Sequence, residues 1–286
     1  MRFAFYSLAA LTLGQAEAKL SPSQLNQAYE ILVKNYGQSP DFTQRFDLTV
    51  LKAAKDPNLP AKERSHLIKN LGGEEFEEKI EKLVENSSSA ADISGRMTFS
   101  LNFLTDYGCW CNYKDGTYVG HGQPEDEIDH LCKDFANCIE CAEIDGEQDS
   151  NGETCNAKTI GYSAKFQSNG TGKITMTCDS DKNNDCAQRT CYCNSDLQAR
   201  GLAIMTQGLL DHDKYKHDRG NFSPKTDCKK STINGEKSED CCGEYPNRKR
   251  YMTDEKECCV GKNFYSSTFS VCCKDGSVVG IGDDCP

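Results

Sequence analysis

The chain has 286 residues, enough for two or three modest domains. With 44 acidic against 33 basic residues it carries a net charge of −11, which disfavours nucleic acid as a partner and strong electrostatic docking on anionic membranes. Eighteen cysteines are far too many for a reduced cytosolic protein and call for an oxidising compartment.

At the N-terminus, Arg2 precedes an apolar run from Phe3 to Leu13, and Ala16-Glu17-Ala18 offers small residues for cleavage. Residues 1–18 therefore read as a signal peptide. The run is too short to span a bilayer, and no later segment approaches the roughly 20 apolar residues that a spanning helix needs. The mature protein is expected to be secreted and extracellular, with no transmembrane segment. Candidate glycosylation acceptors are Asn86 and Asn169, with Asn221 weaker because Pro224 follows its serine.

Residues 19–95 lack cysteine and read as a helical segment or propeptide. Ser21 with Gln24 forms a capping pair, Pro22 suits a first helical position, and Gly37 is a fitting stop. A second helix is expected from Asp41 to about Lys55, with Phe42, Phe46 and Val50 at helical spacing. A third starts at Pro60 and ends before Gly72-Gly73. The fourth, Glu74 to Asn86, puts Phe76, Ile80 and Leu83 on one face. Ser87-Ser88-Ser89-Ala90-Ala91 then reads as a linker.

Next comes Phe103-Leu104-Thr105-Asp106-Tyr107-Gly108-Cys109-Trp110-Cys111. A helical pattern follows from Pro124 through Asp126, Asp129, His130, Leu131, Cys132, Asp134, Phe135 and Ala136 to Cys138. Tyr162-Ser163 through Lys173-Ile174-Thr175-Met176-Thr177-Cys178 reads as a hairpin, with Asn169-Gly170 as its turn signal. Cys186 and Cys191-Tyr192-Cys193 open another long helix. Residues 96–228 thereby resemble the secreted phospholipase A2 family, whose catalytic helix reads P-x-D-D-L-D-x-C-C-x-x-H-D-x-C and whose calcium loop is entered by F-x-D-Y-G-C-Y-C. The resemblance implies a mainly α fold with a small β-wing: a disulfide-rich core of two long antiparallel helices.

The family's pairing implies Cys111–Cys132, Cys138–Cys193, Cys155–Cys186 and Cys178–Cys191, with Cys109 reaching Cys228. One family bridge is missing, since Leu131 and Arg200 stand where its cysteines belong. Cys141 is left over and has a candidate partner in the tail. Each such bridge restrains the unfolded chain by roughly 2–4 kcal/mol.

The family's chemistry is absent. Its general-base histidine falls on Phe135, its calcium-binding aspartate on Ala136, and its orienting aspartate on Asn194. Phe135 accepts no proton, Ala136 offers no oxygen to a cation, and Asn194 carries no charge. The calcium loop around Trp110, Asn112 and Lys114 lacks the family's C-G-x-G-G run, and Lys114 is an awkward neighbour for a cation. Calcium is the only cofactor the resemblance brings up, and these residues leave room for weak binding at most. His130 lies five positions before Phe135, about 140° around the helix. It reads as a surface residue, as does His121 in the loop. Asp126 and Asp129 are expected to tie down local structure, and Asp134 to be a solvated helix residue. Phe135 is expected to fill core, with an apolar slot for an acyl chain as the alternative.

Residues 229–286 form a compact cysteine-rich module of irregular and β structure. Cys241-Cys242, Cys258-Cys259 and Cys272-Cys273 precede a last Cys285. Adjacent cysteines rarely bond each other, so each pair must reach in two directions. The doubled cysteines resemble the dicysteine repeats of extracellular matrix proteins such as galaxins. Arg248-Lys249-Arg250 reads as a solvated basic turn.

The expected function is thus a secreted, non-catalytic phospholipase A2-like protein with an extracellular structural, matrix or binding role. Its partners would be an extracellular matrix or receptor protein. Two alternatives stand beside it. One is a divergent calcium-dependent phospholipase A2 acting on the sn-2 ester, with His121 or another group as base. The other is binding of phospholipid, fatty acid or a receptor through the emptied slot.

Overall fold

The computed structural model describes residues 19–36, 46–85, 105–146, 154–168, 174–217, 222–229 and 236–286. The signal-peptide segment, the 87–91 linker, the Asn169-Gly170 turn and all three glycosylation candidates lie outside the described residues.

Among the described residues the first helices are α1 (Pro22–Tyr36), α2 (Phe46–Ala54), α3 (Ala61–Asn70) and α4 (Glu74–Glu85). The start of α1 is a capping box. The Gln24 amide donates to Ser21 Oγ at 3.3 Å, and the Ser21 amide donates to Gln24 Oε1 at 3.0 Å. Arg64 closes the far end of α2, where helical carbonyls lack partners. Its guanidinium donates to the carbonyls of Ala54, Asp56 and Leu59 at 3.1, 3.0 and 2.9 Å. Helix α3 stops before Gly72 and Gly73, both with positive φ. Leu25, Ala28, Leu32, Val50, Leu51, Leu67, Phe76 and Ile80 are buried together.

Two long helices form the centre: α5 (Glu127–Ile144) and α6 (Asp185–Thr206). Asp126 caps α5 by accepting from the Asp129 amide at 2.9 Å, and Asn184 caps α6 by accepting from the Ala187 amide at 2.8 Å. Cys138 bonds Cys193, while Asp134 pairs with Arg200. Moving up one helix means moving down the other, so the two are antiparallel. One side of α6 serves the N-terminal helices. Leu202 and Met205 are buried in their core, and Thr49 Oγ1 donates to Gln198 Oε1 at 3.4 Å.

Among the described residues, strands occur as four antiparallel pairs. They are β1 (Asn112–Lys114) with β2 (Thr117–Val119), β3 (Ala164–Ser168) with β4 (Ile174–Cys178), β5 (Glu257–Cys259) with β6 (Asn263–Tyr265), and β7 (Ser270–Cys272) with β8 (Val278–Gly280). Two single-turn helices, α7 (His212–Tyr215) and α8 (Pro224–Asp227), lie between α6 and the tail. The protein is therefore disulfide-rich and mainly helical, with small sheets. Among the described residues no helix is long and apolar enough to cross a membrane.

All eighteen cysteines are paired. The central part holds Cys109–Cys228, Cys111–Cys132, Cys138–Cys193, Cys155–Cys186 and Cys178–Cys191. In the tail the doubled cysteines divide, as adjacency demands: Cys242–Cys258, Cys259–Cys272 and Cys273–Cys285 run in series. Cys241 turns the other way and bonds Cys141 on α5.

That last bond sits within a polar clamp. Asp145, at the end of α5, accepts from Tyr245 Oη at 2.7 Å and from Arg248 Nη2 at 3.0 Å, while Arg248 Nε also reaches the same carboxylate. Arg250 Nη1 lies 3.0 Å from Glu140. The expectation of a solvated basic turn at Arg248-Lys249-Arg250 is corrected here. Both arginines fasten the tail to α5 through acids more than 100 positions away in the chain.

Candidate functional site

The site is organised by Asp129, which has no solvent exposure. Its carboxylate accepts from four backbone amides: Cys109 at 2.8 Å, Trp110 at 2.6 Å, Cys111 at 3.3 Å and Glu125 at 2.9 Å. One side chain on α5 thereby pins the loop that precedes β1, and a buried carboxylate is fully satisfied. Gly108 makes this approach possible. A Cβ there would stand 2.4 Å from Asp129 Cγ, at a φ of +57°.

Asp126 lies beside it and accepts from the hydroxyl of the fully buried Tyr107. Burial raises the Asp126 carboxyl above its ordinary value, outweighing the hydrogen bonds that favour its charged form. Tyr107 is also pushed up, first by burial and then by donating to that acid. Both aspartates thus fasten local structure.

Phe135 is 5 % exposed and belongs to the same core as Tyr107, Tyr118, Ile128, Leu131 and Ile139. Its ring meets Tyr118 edge-on with centroids 5.7 Å apart. Ala136 packs against this core from a half-buried position. Asn194 turns its amide back onto its own helix, donating to the Thr190 carbonyl at 2.9 Å. Leu131 is fully buried, so an apolar side chain fills its position, while Arg200 binds Asp134 and Asp196 at 3.0 and 3.1 Å. No proton acceptor stands at Phe135 or Ala136.

The loop between Cys111 and Pro124 is a β-hairpin. Asn112 and Lys114 lie exposed on β1, paired with Val119 and Thr117. Asp115 and Gly116, with φ of +50° and +86°, make the turn. Trp110 is half-buried and donates from Nε1 to the Gly122 carbonyl at 3.0 Å. These residues do not fit the calcium ion that the resemblance implies. The carboxylate position holds a methyl group, the backbone is committed to hairpin pairing, and Lys114 adds positive charge beside it.

The histidines separate. His121 is exposed, and its ring meets no carboxylate among the described residues. His130 has Nδ1 3.1 Å from Asp134 Oδ2 and is 56 % exposed. It borders an open groove of about 510 Å³ lined by Asp126, Glu127, Arg200, Ala203, Ile204 and Gln207. Asp134 is shared with Arg200, so it is an ion-pair hub; the expectation of a merely solvated residue is corrected.

The hairpin and the Asp134–Arg200 pair are what the sequence reading missed. Asp115-Gly116 between Tyr113 and Tyr118 carried a hairpin signal of its own. No local signal marked Arg200. Compared with models of protein families and with curated proteins, the chain matches none.

Proposed function

We propose that this is a secreted, non-catalytic protein built on a phospholipase A2-like core, acting as an extracellular structural or matrix-binding component. The observation that carries the reading is the burial of Phe135 against Tyr118, where a general base would be needed. Ala136 beside it and Asn194 folded onto its own helix leave no base–orienter pair. Nine disulfides suit an oxidising exterior. Filling of the slot by Phe135 and Tyr118 speaks against an acyl chain there.

Isothermal calorimetry with calcium chloride tests the reading. Weak heats or none are expected. A single saturable site with micromolar affinity contradicts it, because the loop would then hold the family's cation.

A second reading, a divergent hydrolase, has one observation in its favour: the His130–Asp134 pair at the mouth of the groove. Arg200 already neutralises that carboxylate, which weakens it as a partner for an imidazolium. Hydrolysis of phospholipid that is lost in His130→Ala would favour this reading.

A further inference from the structure

We infer that the seam between α5 and the cysteine-rich tail is a docking surface for a sulfated polysaccharide, formed by Lys133, Lys237, Lys249 and Lys256 beside the rings of Trp110 and Phe264. This deepens the extracellular reading and rests on it for the choice of a polysaccharide.

Two elements bring these cations together. Lys133 and Glu140 are seven residues apart on α5 and so share a face. From the tail, Arg250 and Lys237 both reach Glu140, at 3.0 and 3.7 Å. The acid at the centre is thus answered by two cations. Lys249 precedes Arg250, and its ammonium stands 5.8 Å from the centroid of Phe264. The Lys256 ammonium stands 5.9 Å from the same ring. On the helix side, the Lys133 ammonium is 5.1 Å from the centroid of Trp110.

Among the described residues, none of Lys133, Lys249 and Lys256 has a carboxylate within ion-pair distance. Asp134, the acid next to Lys133, is held by Arg200 at 3.0 Å. The ammonium of Lys133 is disfavoured first by burial; Asp134 and, less, Asp129 favour it at longer range, while Lys249 and Lys237 add repulsion. Lys133, Lys249 and Lys256 thus form a local basic cluster on a chain whose net charge is −11.

The chemistry points to sulfates on a sugar chain. A sulfate stays charged at any physiological pH, and repeated sulfates meet several ammoniums at once. Ring faces beside the cations offer apolar contact to a saccharide. At physiological salt, charge is screened beyond about 8 Å, so the acidic remainder of the protein does not cancel a local basic cluster. Cys141–Cys241 ties the tail to α5 and Cys242–Cys258 braces the tail itself, so the surface is set in advance, which lowers the ordering cost of binding.

The test is calorimetry of the full disulfide-bonded chain with a heparin octasaccharide. The parent is compared with the triple variant Lys133→Gln/Lys249→Gln/Lys256→Gln and with a charge-matched control, Lys62→Gln/Lys69→Gln/Lys225→Gln. Affinity for the patch variant is expected to fall about tenfold or more, with a shallower dependence on salt, while the control stays within about twofold. Equal losses in both variants overturn the proposal, as does failure of the parent to bind at physiological salt. Equal affinity for desulfated heparin, or binding only to phosphatidylserine vesicles, overturns it too. Unchanged near-ultraviolet circular dichroism separates lost binding from lost folding. Hydrolysis is not measured, so a chain that cleaves phospholipid yet binds heparin through these lysines refutes the non-catalytic reading and leaves this one standing.

Discussion

The Phe135 ring stands edge-on to Tyr118, with centroids 5.7 Å apart, inside the core that joins α5 to the first hairpin. Phe135→Ala removes that contact and opens a cavity. It is expected to destabilise the protein by about 3–5 kcal/mol in a denaturant titration. A loss below about 1 kcal/mol would mean that the ring is not core.

The double substitution Phe135→His/Ala136→Asp is expected to leave phospholipid hydrolysis at background. The hairpin from Asn112 to Val119 still presents Lys114 and paired backbone in place of a cation loop. Calcium-dependent turnover by this variant would show that the hairpin reorganises around the ion.

Asp129 and Gly108 form one device. Asp129→Ala leaves the amides of Cys109, Trp110 and Glu125 without an acceptor, while Cys111 keeps the Tyr107 carbonyl, and is expected to cost at least about 3 kcal/mol. Gly108→Ala drives a Cβ into the same carboxylate at a positive φ and should cost more than about 1 kcal/mol. Being in contact, the two losses should fall well short of adding in the double variant, as a mutant cycle by thermal denaturation would show.

Asp126 predicts a direction for pH dependence. Its folded-state carboxyl lies above the ordinary value because it is buried. The protonated form is therefore favoured by folding. Its contribution to stability is full below the unfolded value and is lost as pH rises through the raised folded value. The stability of the parent relative to Asp126→Asn should accordingly be greater near pH 3 than near pH 7, measured by urea titration at each pH. The opposite trend would show that hydrogen bonding to Tyr107 and the Asp129 amide outweighs burial.

Much of this architecture was legible because its causes are local. Ser21 and Gln24 are three residues apart, and their reciprocal cap can be read directly. Gly72-Gly73 marks a helix end, and Asp126 stands where a cap for α5 is needed. The doubled cysteines had to part, and they do. What escaped reading was non-local or masked by a stronger pattern. Arg248 and Arg250 find Asp145 and Glu140 across more than 100 residues, which no spacing rule reveals. Arg200 and Asp134 meet only because α5 and α6 are antiparallel. Asp115-Gly116 is a plain hairpin signal, but it sits in the segment that the resemblance assigns to a calcium loop. At the candidate site, the absence of chemistry was legible in residue types, whereas the way Phe135 and Tyr118 close the space required coordinates.

The most direct test is hydrolysis of mixed phosphatidylcholine–phosphatidylglycerol vesicles by the purified chain in millimolar calcium, with and without chelator. With no proton acceptor at Phe135 or Ala136, release of fatty acid should equal that of protein-free vesicles in both conditions. Release that the chelator abolishes, and that survives repurification, would contradict the account.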